Sequence, residues 1–200
     1  VSDFYLAVNR YAVRAYTPTI LRYSKDIDCA VRSEKEMEKI MSLLQKIGYT
    51  VNKRTHGASG FRKIMGEPLI VNVSVNDLDS EIREIHPFYG ENKDLKVEVG
   101  VCSIEDLLTL KAIAAREKDI IDISILLLDS FNVVDIEKLK DKLHKEYNVK
   151  GFESMVKTLM SNIGSKNFHM IWKHYMRDRM DDDAKTKRWT VCQKTLNAIK

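Results

Sequence analysis

The sequence predicts a mixed α/β (α+β) fold: a sheet with flanking helices over the first two thirds, then a helical C-terminal region. Three observations predict it. Short runs rich in Val, Ile and Tyr, bounded by turn residues, alternate with helical-period segments as far as Cys102. From Ser103 onward the apolar spacing becomes helical and stays so. The 200 residues are 44% hydrophobic and 31% charged with both signs mixed, which suits a packed core rather than a disordered chain.

Taken in order, Leu6-Ala7-Val8 and Tyr11-Ala12-Val13 fit a turn or short helix, and Ile27 to Val31 reads as a strand carrying acidic residues. Ser33-Glu34-Lys35-Glu36 is a capping box, in which Ser33 can accept the third helical N–H. Met37, Ile40, Met41, Leu44 and Ile47 follow at helical spacing, with Gly48 as the stop. Tyr49 to Arg54 predicts a strand and residues 56–60, with His56, a loop. Phe61 to Met65 and Leu69 to Val75 bracket Gly66-Glu67-Pro68 as a hairpin. Leu95 to Val101 alternates like a half-buried strand. Ser103-Ile104-Glu105-Asp106 opens the helices, which break at Gly151, Gly164 and Asp181-Asp182-Asp183. The expected division is 1–130 for the α/β domain and 131–200 for a basic helical region.

The net charge of +4 is uneven. Residues 138–200 hold 15 Lys+Arg against 7 Asp+Glu, a balance of +8, and residues 1–137 hold 18 against 22, a balance of −4. A basic tail suits a polyanion such as RNA, though solvated helix faces look alike. Lys173, Arg177, Lys185, Lys187, Arg188 and Trp189 are the residues that would make such contacts. Cys29, Cys102 and Cys192 have no Cys-x-x-Cys spacing, so reduced cysteines and a cytoplasmic setting are expected. The five histidines (His56, His86, His144, His169, His174) lack zinc-site spacing. No apolar run is long enough to span a bilayer, and Val1-Ser2-Asp3-Phe4 does not begin a signal peptide.

Asp26 and Asp28 lie two apart on a predicted strand, so their carboxylates leave one face. Two such carboxylates repel unless a cation lies between them. Mg²⁺ or Mn²⁺ fits, since a hard ion takes carboxylate oxygens together with substrate phosphates and serves phosphoryl or nucleotidyl transfer. Surface strands also carry alternating aspartates, so the pair alone does not decide.

The segment Arg22-Tyr23-Ser24-Lys25-Asp26-Ile27-Asp28 resembles the Arg-aromatic-Ser-x-Asp-Ile-Asp segment of the AbiEii-type nucleotidyltransferases, the toxin halves of some toxin–antitoxin pairs. Ile104-Glu105-Asp106-Leu107-Leu108-x-Leu110-Lys111-x-x-Ala114, followed by Lys118-Asp119-x-x-Asp122, resembles that family's second segment. The resemblance covers roughly the first 130 residues and implies a nucleotidyltransferase fold. It further implies a nucleoside triphosphate as substrate, an RNA acceptor such as the 3′ end of tRNA, and an antitoxin partner. It places Lys111 and Asp122 in the active site and Ser24 beside the nucleotide.

Helical geometry bears on the same residues. Lys111 lies between Leu107 and Leu108 on the helix wheel, and Asp122 between Ile125 and Leu126, so both charges sit on apolar stripes. Such a position suits either a polar site or a structural device: a snorkelling lysine, a buried ion pair. In the functional reading Lys111 stabilises the triphosphate and Asp122 holds the lysine. Asp119 reads as a helix cap.

Two departures from the family pattern stand out. Asn9-Arg10 replaces the Gly-Gly or Gly-Ser pair that approaches the phosphates, leaving nucleotide contact to these two side chains or a cleft filled by arginine. Where related enzymes carry a third acidic residue on a later strand, Ile70-Val71-Asn72-Val73-Ser74-Val75 offers Asn72, able to coordinate a cation but not to act as a base. The alternative is thus a catalytically inactive relative that binds RNA, nucleotide or a partner protein.

Overall fold

The computed structural model describes residues 6–7, 9–17, 26–55, 57–85, 97–146, 148–176 and 181–199. They fall into two compact units, one ending at Ser103 and one starting at Ile104.

The first unit is a mixed seven-stranded sheet with two helices. Its elements are β1 (Leu6–Ala7), α1 (Asn9–Tyr16), β2 (Asp26–Val31), α2 (Glu34–Lys46), β3 (Thr50–Arg54), β4 (Gly57–Ile64), β5 (Glu67–Val75), β6 (Ser80–Ile85) and β7 (Val97–Cys102). The strand order is β3-β4-β5-β2-β1-β7-β6. β2 runs parallel to β5 and antiparallel to β1, while β3, β4 and β5 form an antiparallel meander.

Period two makes this sheet two-faced. Ile27, Cys29 and Val31 of β2, Ala58 of β4, and Leu69, Val71 and Val73 of β5 pack with Met37, Ile40, Met41 and Leu44 of α2. The intervening residues of each strand therefore leave the opposite face. Ser33 caps α2 by accepting from the Glu36 amide at 3.3 Å, as its sequence predicts. Glu36 in turn accepts from the Arg32 amide at 2.8 Å.

Three differences from the sequence reading concern β1, β4 and β6. Leu6–Ala7, expected in a turn or short helix, is a strand because it pairs with β2 on one side and β7 on the other. Residues 57–60, expected as a loop, open strand β4, because Ala58, Ser59 and Gly60 pair with both β3 and β5. The fit at Gly60 is close: a Cβ would lie 3.1 Å from the Leu44 side chain and 3.3 Å from that of Tyr49, so these would have to shift by a few tenths of an ångström. β6 pairs with β7 at the sheet edge without having a clean hydrophobic alternation.

The second unit is helical: α3 (Ile104–Ala114), α4 (Glu117–Ser130), a 3₁₀ turn at Phe131–Val133, α5 (Ile136–Lys145), α6 (Val149–Asn162), α7 (Lys166–Met176) and α8 (Asp182–Ala198). Leu107, Leu108, Ile121, Leu126, Leu139, Leu143, Phe152 and Leu159 are fully buried in it. α5 is tied to α3 by polar groups as well. Glu105 accepts from the Asp135 amide at 2.9 Å, and Lys142 meets Asp106 at 2.6 Å. Gly151, expected to break a helix, lies inside α6, where the Asn148 side chain occupies the space a Cβ would need. Among the described residues no helix is long and apolar enough to cross a membrane.

Candidate functional site

The Asp-Ile-Asp segment forms β2, as predicted. Because Ile27 and Cys29 are turned towards α2, Asp26 and Asp28 leave the opposite face together, Asp26 exposed and Asp28 half-buried. The parallel register sets Asn72 of β5 directly beside Asp28, and its Nδ2 donates to Asp28 Oδ1 at 2.9 Å. This hydrogen bond fixes the orientation of the carboxylate. Sequence reasoning offered Asn72 as a metal ligand; here its amide N–H groups are directed at Asp28. Burial, with Asp28 adding to it, pushes the Cys29 thiol up to about 12.

This donor set can be tested against a cation. Among the described residues, no group of three His, Cys, Asp or Glu side chains is arranged to hold a metal. Two adjacent carboxylates on an open strand face do fit Mg²⁺, which keeps waters and takes substrate phosphates for its remaining positions.

The second cluster is built by α3 and α4. Lys111 Nζ donates to Asp122 Oδ2 at 2.6 Å and to Asp119 Oδ1 at 3.0 Å, with side-chain exposures of 3%, 2% and 0% in that order. These values exclude a snorkelled amine. Asp119 also accepts from the Arg116 amide at 3.1 Å, capping α4, and from Arg116 Nε at 2.7 Å. Burial pushes the Asp119 carboxyl up, but the Arg116 hydrogen bond and Lys111 outweigh that and hold it below its ordinary value. Sequence reasoning gave Asp119 the cap alone. The missed signal is the i,i+3 spacing to Asp122, which puts both carboxylates on one side of α4.

Asp26, Asp28 and Asn72 thus come together in the first unit, and Lys111, Asp119 and Asp122 in the second. Asn9 and Arg10 form the first turn of α1, while their side chains lie outside the described residues. So do Ser24 and its neighbours Arg22, Tyr23 and Lys25, together with His56, His86 and Arg177.

Of the tail residues, Arg188 is buried with its guanidinium stacked 4.3 Å over Trp172, so it is not a surface contact. Lys185 and Lys187 pair within α8 with Asp182 and Asp183, both at 2.6 Å. Lys173 and Trp189 are exposed.

The family model described as nucleotidyl transferase AbiEii toxin, type IV toxin–antitoxin system, matches residues 12–198. Solved structures similar to this chain include the antibiotic-resistance factor ANT(2″)-Ia in solution, with 14% identity and a TM-score of 0.47 over 72% of this chain and 83% of that one. Another is the lincosamide antibiotic adenylyltransferase LnuA with lincomycin bound, with 19% identity and a TM-score of 0.42 over 61% and 84%. A third is ANT(2″)-Ia with adenylyl-2″-tobramycin, with 14% identity and a TM-score of 0.46 over 75% and 87%. No curated protein matches the chain.

Proposed function

The chain belongs to the nucleotidyltransferase AbiEii toxin family of type IV toxin–antitoxin systems, and from that premise we propose that it passes a nucleotidyl group from a nucleoside triphosphate to an RNA acceptor. The observation that carries the proposal is the pair of carboxylates, Asp26 and Asp28, side by side on the open face of β2 with Asn72 bonded to the second.

Asp26 and Asp28 would hold Mg²⁺ or Mn²⁺. When bound, the cation supplies positive charge to the reacting phosphates and orients attacking and leaving oxygens. Asn72 keeps Asp28 aimed. Having no basic oxygen, it cannot take the acceptor's proton. Asn9, Arg10 and Ser24 are the proposed phosphate contacts. Lys111 is the proposed cation for charge developing on the triphosphate: two of its three N–H groups bond Asp119 and Asp122, and the third is the one that would meet a phosphate. Asp122 orients it. The acceptor is a tRNA 3′ end in this reading, the basic region 131–200 helps to bind it, and a cognate antitoxin restrains the activity in the cytoplasm.

The experiment is incubation with each labelled triphosphate, Mg²⁺ and total tRNA, comparing the wild type with Asp28→Ala. Transfer to RNA that depends on Mg²⁺ and disappears in the variant is expected; labelling that survives the substitution overturns the site.

A second reading has one specific observation behind it. Asn72 stands where a third carboxylate would serve, so the chain could be a silent family member that only binds. Calorimetry with triphosphate and Mg²⁺ separates the two, since RNA binding without metal-dependent nucleotide binding selects the silent protein.

A further inference from the structure

The face of the sheet that carries Asp26 and Asp28 continues across β5, β4 and β3, and its other residues have no part in the chemistry above. The pairing register lays them out in rows. Asp26 aligns with Ile70, Phe61 and Thr50, and Asp28 aligns with Asn72, Ser59 and Asn52. Lys63 stands two residues beyond Phe61 on β4, and Arg54 two beyond Asn52 on β3, so both share this face.

Phe61 is the anomaly. It is 42% exposed, although aromatic rings on a sheet are normally packed. The cations around it divide by face. On the α2 side, Lys53 pairs with Glu38 at 3.2 Å and Arg62 donates to the Ile47 carbonyl. On the open side, Arg54 and Lys63 are exposed, and neither forms an ion pair among the described residues. At about 4.8 Å per strand, Phe61 lies roughly 10 Å across the sheet from the carboxylate pair. Along the strand Lys63 lies about 7 Å from Phe61, and Arg54, opposite Gly57, about 14 Å from it in the other direction. An exposed ring with cations spaced in both directions matches a base stacked within a single strand whose phosphates run past it. A free triphosphate presents its phosphates on one side of a single base; a strand presents them on both sides.

We propose that the exposed residues of this face on β3 and β4 dock the single-stranded end of an RNA acceptor, with Phe61 stacking a base and Lys63 and Arg54 contacting phosphates further along the strand in either direction. The inference rests on the proposed function in taking the acceptor to be RNA. It adds the surface that would deliver the acceptor's end to Asp26 and Asp28.

The test is fluorescence anisotropy with a short, fluorescein-labelled single-stranded RNA of mixed sequence, titrated at several salt concentrations. Phe61→Ala should weaken binding about five- to hundredfold, the range for losing one base–aromatic stack, and Phe61→Trp should retain it. Arg54→Ala with Lys63→Ala should lower the slope of log affinity against log salt by about 1.4, for two phosphates of a single strand. All three variants replace exposed side chains, and thermal melts check that each stays folded. Calorimetry with triphosphate and Mg²⁺ should be unchanged in all of them.

Unaltered RNA affinity in Phe61→Ala, or an unaltered salt slope in the double variant, overturns the proposal. So does a fall in triphosphate affinity in Phe61→Ala, which would put the incoming nucleotide's own base on the ring. Asp28→Ala separates this from the wider reading. It should lose metal-dependent triphosphate binding and keep RNA affinity. A wild type that binds RNA through Phe61 but binds no triphosphate would remove the proposed activity and leave the docking surface standing.

Discussion

The Lys111 cluster makes the sharpest energetic prediction. Its amine is buried between two carboxylates at 2.6 and 3.0 Å, and all three side chains are 97% or more removed from water. Lys111→Met keeps the length and apolar character of the stem and deletes only the charge. That strips a counter-charge from Asp122, which stays buried at 2% exposure. Breaking a buried pair from one side costs about 3–5 kcal/mol. At about 2–4 °C per kcal/mol for a chain of this size, the melting temperature should fall by roughly 6–20 °C.

Removing both charges has a different outcome. Asp119 keeps its Arg116 partner at 2.7 Å, so Lys111→Met with Asp122→Leu leaves no orphaned ion in that pair. It should recover most of the lost stability, because well-packed apolar groups replace buried ion pairs at little cost. Melts followed by far-UV circular dichroism measure both variants. A single variant melting within about 2 °C of the wild type, where about 6 °C or more is expected, refutes the reasoning; so does a double variant no more stable than the single. Nucleotide binding then separates the roles of Lys111. A purely structural lysine would let binding return with stability, whereas the proposed phosphate contact leaves the stable double variant unable to bind.

Two further predictions concern titratable groups. Asp119 is held below the ordinary aspartate value of 3.8, so its contribution is fully present above that value and is lost as pH falls through its lower folded value. The melting-temperature gap between wild type and Asp119→Asn should therefore be widest near neutrality and close on acidification below 3.8; a gap that stays constant with pH contradicts the assignment. Cys29 and Cys192, both pushed up to about 12 by burial, should resist iodoacetamide at mildly alkaline pH and react on denaturation. Mass spectrometry of the alkylated peptides reads this, and labelling of native Cys29 at the rate of a free thiol would count against the buried strand.

What the sequence could disclose was local. The period-two alternation around Asp26 and Asp28 and the helix wheel around Lys111 and Asp122 are short-range patterns, and both translate into the observed faces. β4 was hidden because Ala58, Ser59 and Gly60 have no β-branched character. Their strand conformation comes from pairing on both sides and from the closeness of Leu44 and Tyr49 to Gly60. Gly151 misleads because it looks like a breaker, yet it lies in the first turn of α6, with the Asn148 side chain in the space a Cβ would take. Asp119 satisfies two demands, a cap and a counter-ion, and the capping rule accounts for it so well that the second went unread. Phe61 was legible as a strand residue, but its exposure depends on which face α2 covers. That is a tertiary fact.

Asn72 is where the sequence departs from a three-carboxylate site, and its register makes the consequence measurable. Directly opposite Asp28, it presents a donor at 2.9 Å. Asn72→Asp has nearly the same shape and replaces that donor with a charge, leaving two carboxylates about 4.8 Å apart across parallel strands. Like charges directly opposite each other destabilise a sheet by up to about 1 kcal/mol, and a divalent cation between them reverses the sign. In chelator the variant should melt about 2–4 °C below the wild type. On adding Mg²⁺ or Mn²⁺ it should gain more than the wild type does, since a ligand that binds only the folded state stabilises it by an amount that grows with the logarithm of the ligand concentration relative to its dissociation constant. The wild-type gain should vanish in Asp28→Ala. If chelator and cation move neither wild type nor variant, the β2 carboxylates do not hold a divalent ion, and the metal falls out of the proposed reaction.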